Sequence, residues 1–294
     1  MLSDDGRALL MPELPDLLYI KSELDEKLLG RTVRSAKLKN PVLLRALVPG
    51  TLDSLVGCKL VEIERVSHFL FFSFAPAQKG APALELGINA MLAGRFRVAT
   101  PTEREEAALG FQLGFGESEL RYLDDKQMGK VYLLERGARA AIPALPTGGL
   151  YILGPGFSRE AFRALIAKRR DQVRVFLMDK RAIDALGNAY ADEVLFAAQL
   201  HPKTSCRSLS APEIDRLRDE MVRVMRAAVD EVARRKAPTE EKIRDFLQVR
   251  LRQVCPRCGH KVRKAGVYGK DSYFCPHCQP PKRAGLVDWR KTGK

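Results

Sequence analysis

Cys255-Pro-Arg-Cys258, sixteen intervening residues and Cys275-Pro-His-Cys278 make two CxxC pairs at the spacing of short knuckles that supply four thiolates to one tetrahedral ion. Zinc suits this donor set. Four thiolates leave no open position for a water, so a single structural Zn2+ is expected rather than a catalytic one. His260 and His277 are ligands by residue type, but each lies beside a cysteine that is better placed. Between the knuckles the sizeable apolar residues are Val262, Val267, Tyr268, Tyr273 and Phe274, too small a core to fold without a staple. The segment predicts a zinc-stapled β-hairpin.

The same end of the chain concentrates the charge. The 294 residues include 50 Lys+Arg against 36 Asp+Glu, a formal net charge of +14. From Arg250 to Lys294 twelve basic residues face two acids. Such an excess points to a polyanionic partner, and a basic finger reads as a nucleic-acid module; a zinc ribbon for protein contacts is the alternative. Hydrophobic residues at 46% and charged residues at 29% exclude a disordered chain. Cys58 and Cys206 stand alone and are expected to be core thiols, not half of a disulfide framework. Apolar runs such as Phe69 to Phe72 and Val194 to Ala198 are far shorter than the ~18 residues of a membrane span. Met1 to Leu10 has no basic start, apolar stretch or cleavage site of a secretory signal, so a cytoplasmic protein is expected.

Working back from the finger, the second half reads as helical. Ser210-Ala-Pro-Glu213 has capping-box spacing before the stripe Ile214, Leu217, Met221, Val224, Ala228 and Val232, which is core. Ser158 caps a helix through Phe162, Leu165 and Ile166. Between these, Gly187-Asn188 interrupts the helical pattern and leaves backbone N–H groups at a helix start, where a phosphate can bind or where the chain simply turns. The first half differs. One amphipathic helix from Asp16 to Gly30 carries Leu17, Ile20, Leu24 and Leu28, and strands are predicted over Val33–Leu38, Leu60–Phe74, Ala83–Val98, Phe111–Leu123 and Val131–Leu134.

Met11-Pro-Glu-Leu-Pro15 before a helix, a β-rich first half, Gly187-Asn188-Ala-Tyr190 with Asp192-Glu193 and Leu195-Phe196, and the CxxC/CxxC finger together resemble the formamidopyrimidine-DNA glycosylase and endonuclease VIII family, as a divergent member. The resemblance covers nearly the whole chain after residue 10. It implies an α+β chain with four parts: an extension or upstream-start artefact over 1–10, a catalytic β-sandwich with a leading helix over 11–150, a helix-two-turn-helix DNA-binding domain over 151–249, and a zinc finger with basic tail over 250–294. It also implies damaged duplex DNA as the partner, a flipped-out base, one protein molecule per lesion and no small-molecule cofactor.

By that resemblance Pro12 matches a nucleophile whose secondary amine attacks C1′ of the flipped nucleotide, forming an iminium that permits strand elimination. Glu13 matches the carboxylate that moves protons at the sugar and leaving group. Asn188 matches a phosphate-binding asparagine, Leu92 the wedge that fills the gap left by the extruded base, and Lys270 the position of a phosphate-holding arginine. Departures accompany the matches. Pro12 is internal in this numbering, and only a chain begun at Met11 and stripped of its methionine would expose its amine. His68 falls where the family usually has a lysine. Lys126 and Met128 replace an arginine and a phenylalanine that probe the opposite strand, and Lys270 keeps charge without a bidentate fork. The passage from Phe246 to Cys255 is shorter than in members that excise 8-oxoguanine.

These features predict a base-excision-repair DNA glycosylase with abasic-site lyase activity that removes damaged, by expectation oxidised, bases and works on nucleoid DNA. The alternative is a protein of the same fold that binds damaged DNA without cutting it; a zinc-ribbon protein of transcription or translation would explain the finger but not the Met-Pro-Glu-Leu-Pro start.

Overall fold

The computed structural model describes residues 11–143, 145–146, 148–184 and 186–282. The expected N-terminal extension and the tail with Trp289 lie outside the described residues. The chain divides into two compact units, residues 1–145 with 232–243, and residues 146–231 with 244–294.

The first unit opens with α1 (Leu14–Leu28), two residues earlier than the apolar spacing predicts. The reason is local. Pro15 is tolerated in the first helical turn, and a capping box fixes the start, with the Glu13 N–H donating to Asp16 Oδ2 at 2.8 Å. Leu14, Leu17, Ile20, Leu24 and Leu28 bury one face. Gly30, with φ +79°, turns the chain out of the helix, as its position after the last apolar residue predicts.

Nine strands follow: β1 (Ser35–Leu38), β2 (Leu44–Ala46), β3 (Lys59–Val66), β4 (Phe69–Ala75), β5 (Leu84–Asn89), β6 (Arg95–Ala99), β7 (Leu109–Gly114), β8 (Glu119–Leu123) and β9 (Lys130–Glu135). They form a four-stranded sheet in the order β1-β7-β8-β6 and a five-stranded sheet in the order β2-β9-β5-β4-β3. Leu86, Ile88 and Leu133 from one sheet, Phe96, Phe111 and Leu120 from the other, and the buried face of α1 share one core, so the sheets pack as a sandwich. Phe72 and Phe96 bridge them, ring centroids 6.2 Å apart.

Three predicted strands are each two strands. The run 60–74 is a β3–β4 hairpin that turns at Ser67-His68, with Ser67 at φ +54°. The run 83–98 splits at Ala90–Gly94 between β5 and β6, which belong to different sheets. The run 111–123 is the β7–β8 hairpin, turning around Gly116 at φ +93°. β4 reads as a continuous apolar run because both its faces are covered. Phe72 and Phe74 enter the main core, while Phe69 and Phe71 join Tyr132, Leu134 and Ile142 on the other face.

The second unit holds α2 (Arg159–Ala167), α3 (Val173–Met178), α4 (Asn188–Ala197) and α5 (Ala211–Arg235), whose residues from Val232 onward cluster with the first unit. Ser158 Oγ accepts the Ala161 N–H at 3.1 Å, the predicted cap. Ser210 N–H donates to Glu213 Oε2 at 2.8 Å, one half of the predicted capping box. Leu217, Met221, Ala228 and Val232 are buried, as their spacing predicts. The finger is a two-stranded hairpin, β10 (Arg263–Val267) and β11 (Lys270–Phe274), and its turn residues Tyr268 and Gly269 both have positive φ, +49° and +73°. That is the turn whose twist matches antiparallel strands. Among the described residues no helix is long and apolar enough to cross a membrane.

Candidate nucleic-acid site and zinc centre

At the finger the two knuckles bring all four cysteines together. Sγ–Sγ separations are 3.9 Å for Cys255–Cys278, 3.5 Å for Cys258–Cys275 and 3.4 Å for Cys258–Cys278. Four sulfurs about 2.3 Å from a tetrahedral zinc lie roughly 3.8 Å apart. The residues therefore fit one structural zinc, the cofactor that the spacing predicts. Each knuckle closes through its own backbone, Gly259 N–H to Cys255 O and Gln279 N–H to Cys275 O, both 2.9 Å. Gln279 is fully buried; its side chain accepts the Cys275 N–H at 2.9 Å and donates to Leu200 O at 2.8 Å. Arg257 lies over the Phe196 ring at 4.5 Å, so both knuckles are tied to α4 and the residues after it.

Two buried acids of α4 organise the surroundings. Asp192 Oδ1 accepts from Arg174 Nε at 3.0 Å and Ser272 Oγ at 2.7 Å, and Oδ2 from Arg250 Nη1 at 2.7 Å and the Tyr273 N–H at 3.1 Å. A carboxylate with no exposed surface is thus satisfied by two guanidiniums and two neutral donors. Glu193 accepts three successive N–H groups, from Gln248, Val249 and Arg250, at 2.7, 2.9 and 2.8 Å. Burial pushes its carboxyl above the usual carboxylate range, and the three N–H groups oppose that push.

Arg174 carries this order to the residues that the sequence singles out. Its Nη2 donates to Asn188 Oδ1 and to Asp271 O, both at 3.1 Å. The Asn188 carbonyl oxygen is thereby fixed toward Arg174, which turns the amide nitrogen, a donor, to the other side at the N-terminal residue of α4. Lys270 stands exposed at the start of β11, beside the Asp271 carbonyl that Arg174 and Arg250 both hold. Lys261, Arg263 and Lys264 are exposed on the same finger.

In the first unit, Pro12 and Glu13 are both buried immediately before α1. His68 sits in the β3–β4 turn with only 3% of its surface exposed, its Nδ1 3.4 Å from Ser67 Oγ. Leu92 lies in the Ala90–Gly94 turn, where Asn89 Oδ1 accepts the Met91 N–H at 3.0 Å and Met91 takes φ +51°. Lys126 and Met128 are exposed on the Asp124–Gly129 loop. Buried Asp124 shapes that loop by accepting the Lys126 N–H at 3.2 Å and the Gly129 N–H at 2.6 Å.

Both loops close on one side chain. A Cβ at Gly94 would lie 2.2 Å from the Tyr122 hydroxyl oxygen, and one at Gly129 would lie 2.0 Å from it. Only glycine lets the two backbones approach so closely. The segment after α5 adds support: Thr239 Oγ1 donates to Phe96 O at 2.7 Å and Lys242 Nζ to Leu92 O at 3.4 Å.

Sequence reasoning named candidate contact residues and missed the residues that hold them in place: Tyr122, Asp124, Arg174, Arg250, Gln279 and the roles of Asp192 and Glu193. One signal existed. Two acids sit in the otherwise apolar run Ala189 to Ala197, and an acid drawn into the interior with such a helix requires partners.

Comparison with known proteins matches this arrangement along the chain. The formamidopyrimidine-DNA glycosylase N-terminal domain matches residues 11–131, the formamidopyrimidine-DNA glycosylase H2TH domain residues 153–237, and the zinc finger found in FPG and IleRS residues 252–281. The formamidopyrimidine-DNA glycosylase of Symbiobacterium thermophilum is 31% identical over 281 residues, spanning 92% of this chain and 90% of that protein. That of Heliobacterium modesticaldum is 32% identical over 286 residues, spanning 92% of this chain and all of the other. Among solved structures, the Lactococcus lactis Fpg in complex with DNA containing an abasic site superimposes with a TM-score of 0.81 at 24% identity, covering 92% of this chain and 100% of that one. With the zinc knuckles, the sandwich and the intervening helices each matched in order, the chain belongs to the formamidopyrimidine-DNA glycosylase family.

Proposed function

We propose that the protein is a DNA glycosylase that excises damaged bases from duplex DNA and opens the resulting abasic site by lyase chemistry. The observation that carries this reading is the placement of Pro12 and Glu13, adjacent and buried at the N-terminal end of α1. The match to the family's N-terminal domain begins at residue 11, directly before Pro12. The chemistry requires Pro12 to carry a free secondary amine. A terminal amine has a lower pKa than a lysine, and the positive end of the α1 dipole lowers it further, which favours the unprotonated nucleophile. Its lone pair attacks C1′, the glycosidic bond breaks, and the base leaves with a proton. Loss of the ammonium proton frees the nitrogen lone pair, which expels O4′ from C1′ as that oxygen takes up a proton; the ring-opened iminium then loses a C2′ proton and the 3′-phosphate, which severs the strand. Glu13 shuttles protons at the sugar and at the departing base.

The remaining residues position the DNA. Asn188, oriented by Arg174, and Lys270, beside the held Asp271 carbonyl, take phosphates; the finger's exposed lysines and arginines add sequence-independent affinity that falls with salt. Leu92 fills the space of the extruded base, with Lys126 and Met128 against the opposite strand. One molecule acts on one lesion, and oxidised bases other than 8-oxoguanine are favoured by the short passage from Phe246 to Cys255. The second reading, damage binding without cleavage, draws on His68: a nearly buried imidazole is a poor substitute for an extended lysine ammonium. Incision assays on oligonucleotides carrying a single oxidised base test the proposal. Glu13→Gln is expected to cut excision by about a hundredfold or more with DNA binding retained. Wild-type excision at background level with tight binding would favour the second reading.

A further inference from the structure

Of the chain's four histidines, His68 and His201 are buried, while His260 and His277 are exposed, one on each zinc knuckle. Their rings stack with centroids 4.3 Å apart and planes 7° from parallel. The third member is Cys258. Its sulfur and one nitrogen from each imidazole lie within 4.8 Å of one another. Cys258 and Cys278 are half-buried, whereas Cys255 and Cys275 are buried, and Cys258 is the half-buried cysteine grouped with the two imidazoles. His260 Nδ1 is 3.2 Å from Cys258 O.

We propose that His260, His277 and the Cys258 sulfur form a second metal site on the finger, for a borderline-soft divalent cation such as Zn2+ or Co2+, with Cys258 bridging to the structural zinc. Two imidazoles and a thiolate are the donor types that select such ions over Mg2+ or Ca2+. A zinc bound by four thiolates carries two net negative charges, and the bridging sulfur keeps lone pairs for a second cation. Exposed Arg257 and Lys261 beside the knuckle oppose that attraction, so the site is weaker than the structural one. Exposed histidine side chains close the remaining distance by rotation about their own bonds. Three protein donors leave one position of a tetrahedron to water. The site stands on the zinc centre alone and does not depend on the glycosylase reading.

The test is a Co2+ titration of the full chain carrying its one zinc, followed by native mass spectrometry and near-ultraviolet absorption. Zinc holds its thiolate site against cobalt by intrinsic affinity. The expected result is one added cobalt per zinc-loaded chain, with a sulfur-to-cobalt charge-transfer band. The His260→Ala/His277→Ala variant is expected to keep its zinc and lose both the added ion and the band. Should that variant lose zinc, His277→Gln alone is the check, with the same loss expected. No added ion in the wild type, equal uptake by the variants, or uptake without the charge-transfer band would each overturn the proposal.

Discussion

Around Asp192, donors from three separate stretches of chain meet one buried carboxylate; under the Leu92 and Lys126–Met128 loops, an aromatic ring and a single aspartate set the shape. The first arrangement positions by charge and the second by contact. Charge inside a protein is stiff because a missing partner leaves an ion in low dielectric, whereas a steric seat yields by tenths of an ångström. The grip on the phosphate backbone proposed above for the residues around Asp192 is therefore expected to be the rigid part, and the loops proposed to meet the flipped-out gap and the opposite strand the parts that tolerate change.

That contrast breaks most visibly at Asp192. Asp192→Ala leaves the Arg174 and Arg250 guanidiniums without their common acceptor and is expected to cost about 3–5 kcal/mol in urea unfolding, with DNA binding lost in parallel. A cost under about 1 kcal/mol would show the hub to be peripheral. The loop seat predicts a smaller number. Gly129→Ala drives a Cβ into the Tyr122 hydroxyl and is expected to cost about 1–3 kcal/mol. Tyr122→Phe removes a buried hydroxyl that has no hydrogen-bond partner among the described residues, so alone it is expected to stabilise by roughly 1 kcal/mol. Combined with Gly129→Ala it should recover part of the loss; strictly additive effects would separate the ring from the loop.

The smallest effect concerns acid. Burial, with the Lys203 ammonium second, lowers the His201 imidazole to about 4 from its ordinary 6.5, and the neutral ring stacks edge-on against Phe274 while accepting the Lys203 N–H. A histidine held neutral in the folded state contributes stability that is complete above about pH 6.5 and lost as pH falls toward 4. His201→Asn should flatten the fall of thermal midpoint across that window relative to wild type. Parallel profiles would assign the acid lability elsewhere.

The features that the sequence displays are local ones. Cysteines at CxxC spacing, Ser158 before a helix, and Ser210 with Glu213 act within one turn of chain, and each stands as its spacing predicts. The turns inside 60–74 and 83–98 were hidden for an equally local reason. Ser67 and Met91 take positive φ where glycine or asparagine would have announced a turn, and Asn89 pins the second from outside it. The holders of the site were hidden by distance: Arg174, Arg250 and Ser272 reach Asp192 across 18, 58 and 80 residues, beyond any periodicity.

The most direct test of the central claim is borohydride trapping on an oligonucleotide with one abasic site, using protein whose first residue is Pro12 beside protein retaining the residues before it. The account predicts a covalent complex only when the proline amine is free, with the adduct mapping to Pro12. No complex despite intact binding, or an adduct on a lysine, would contradict it.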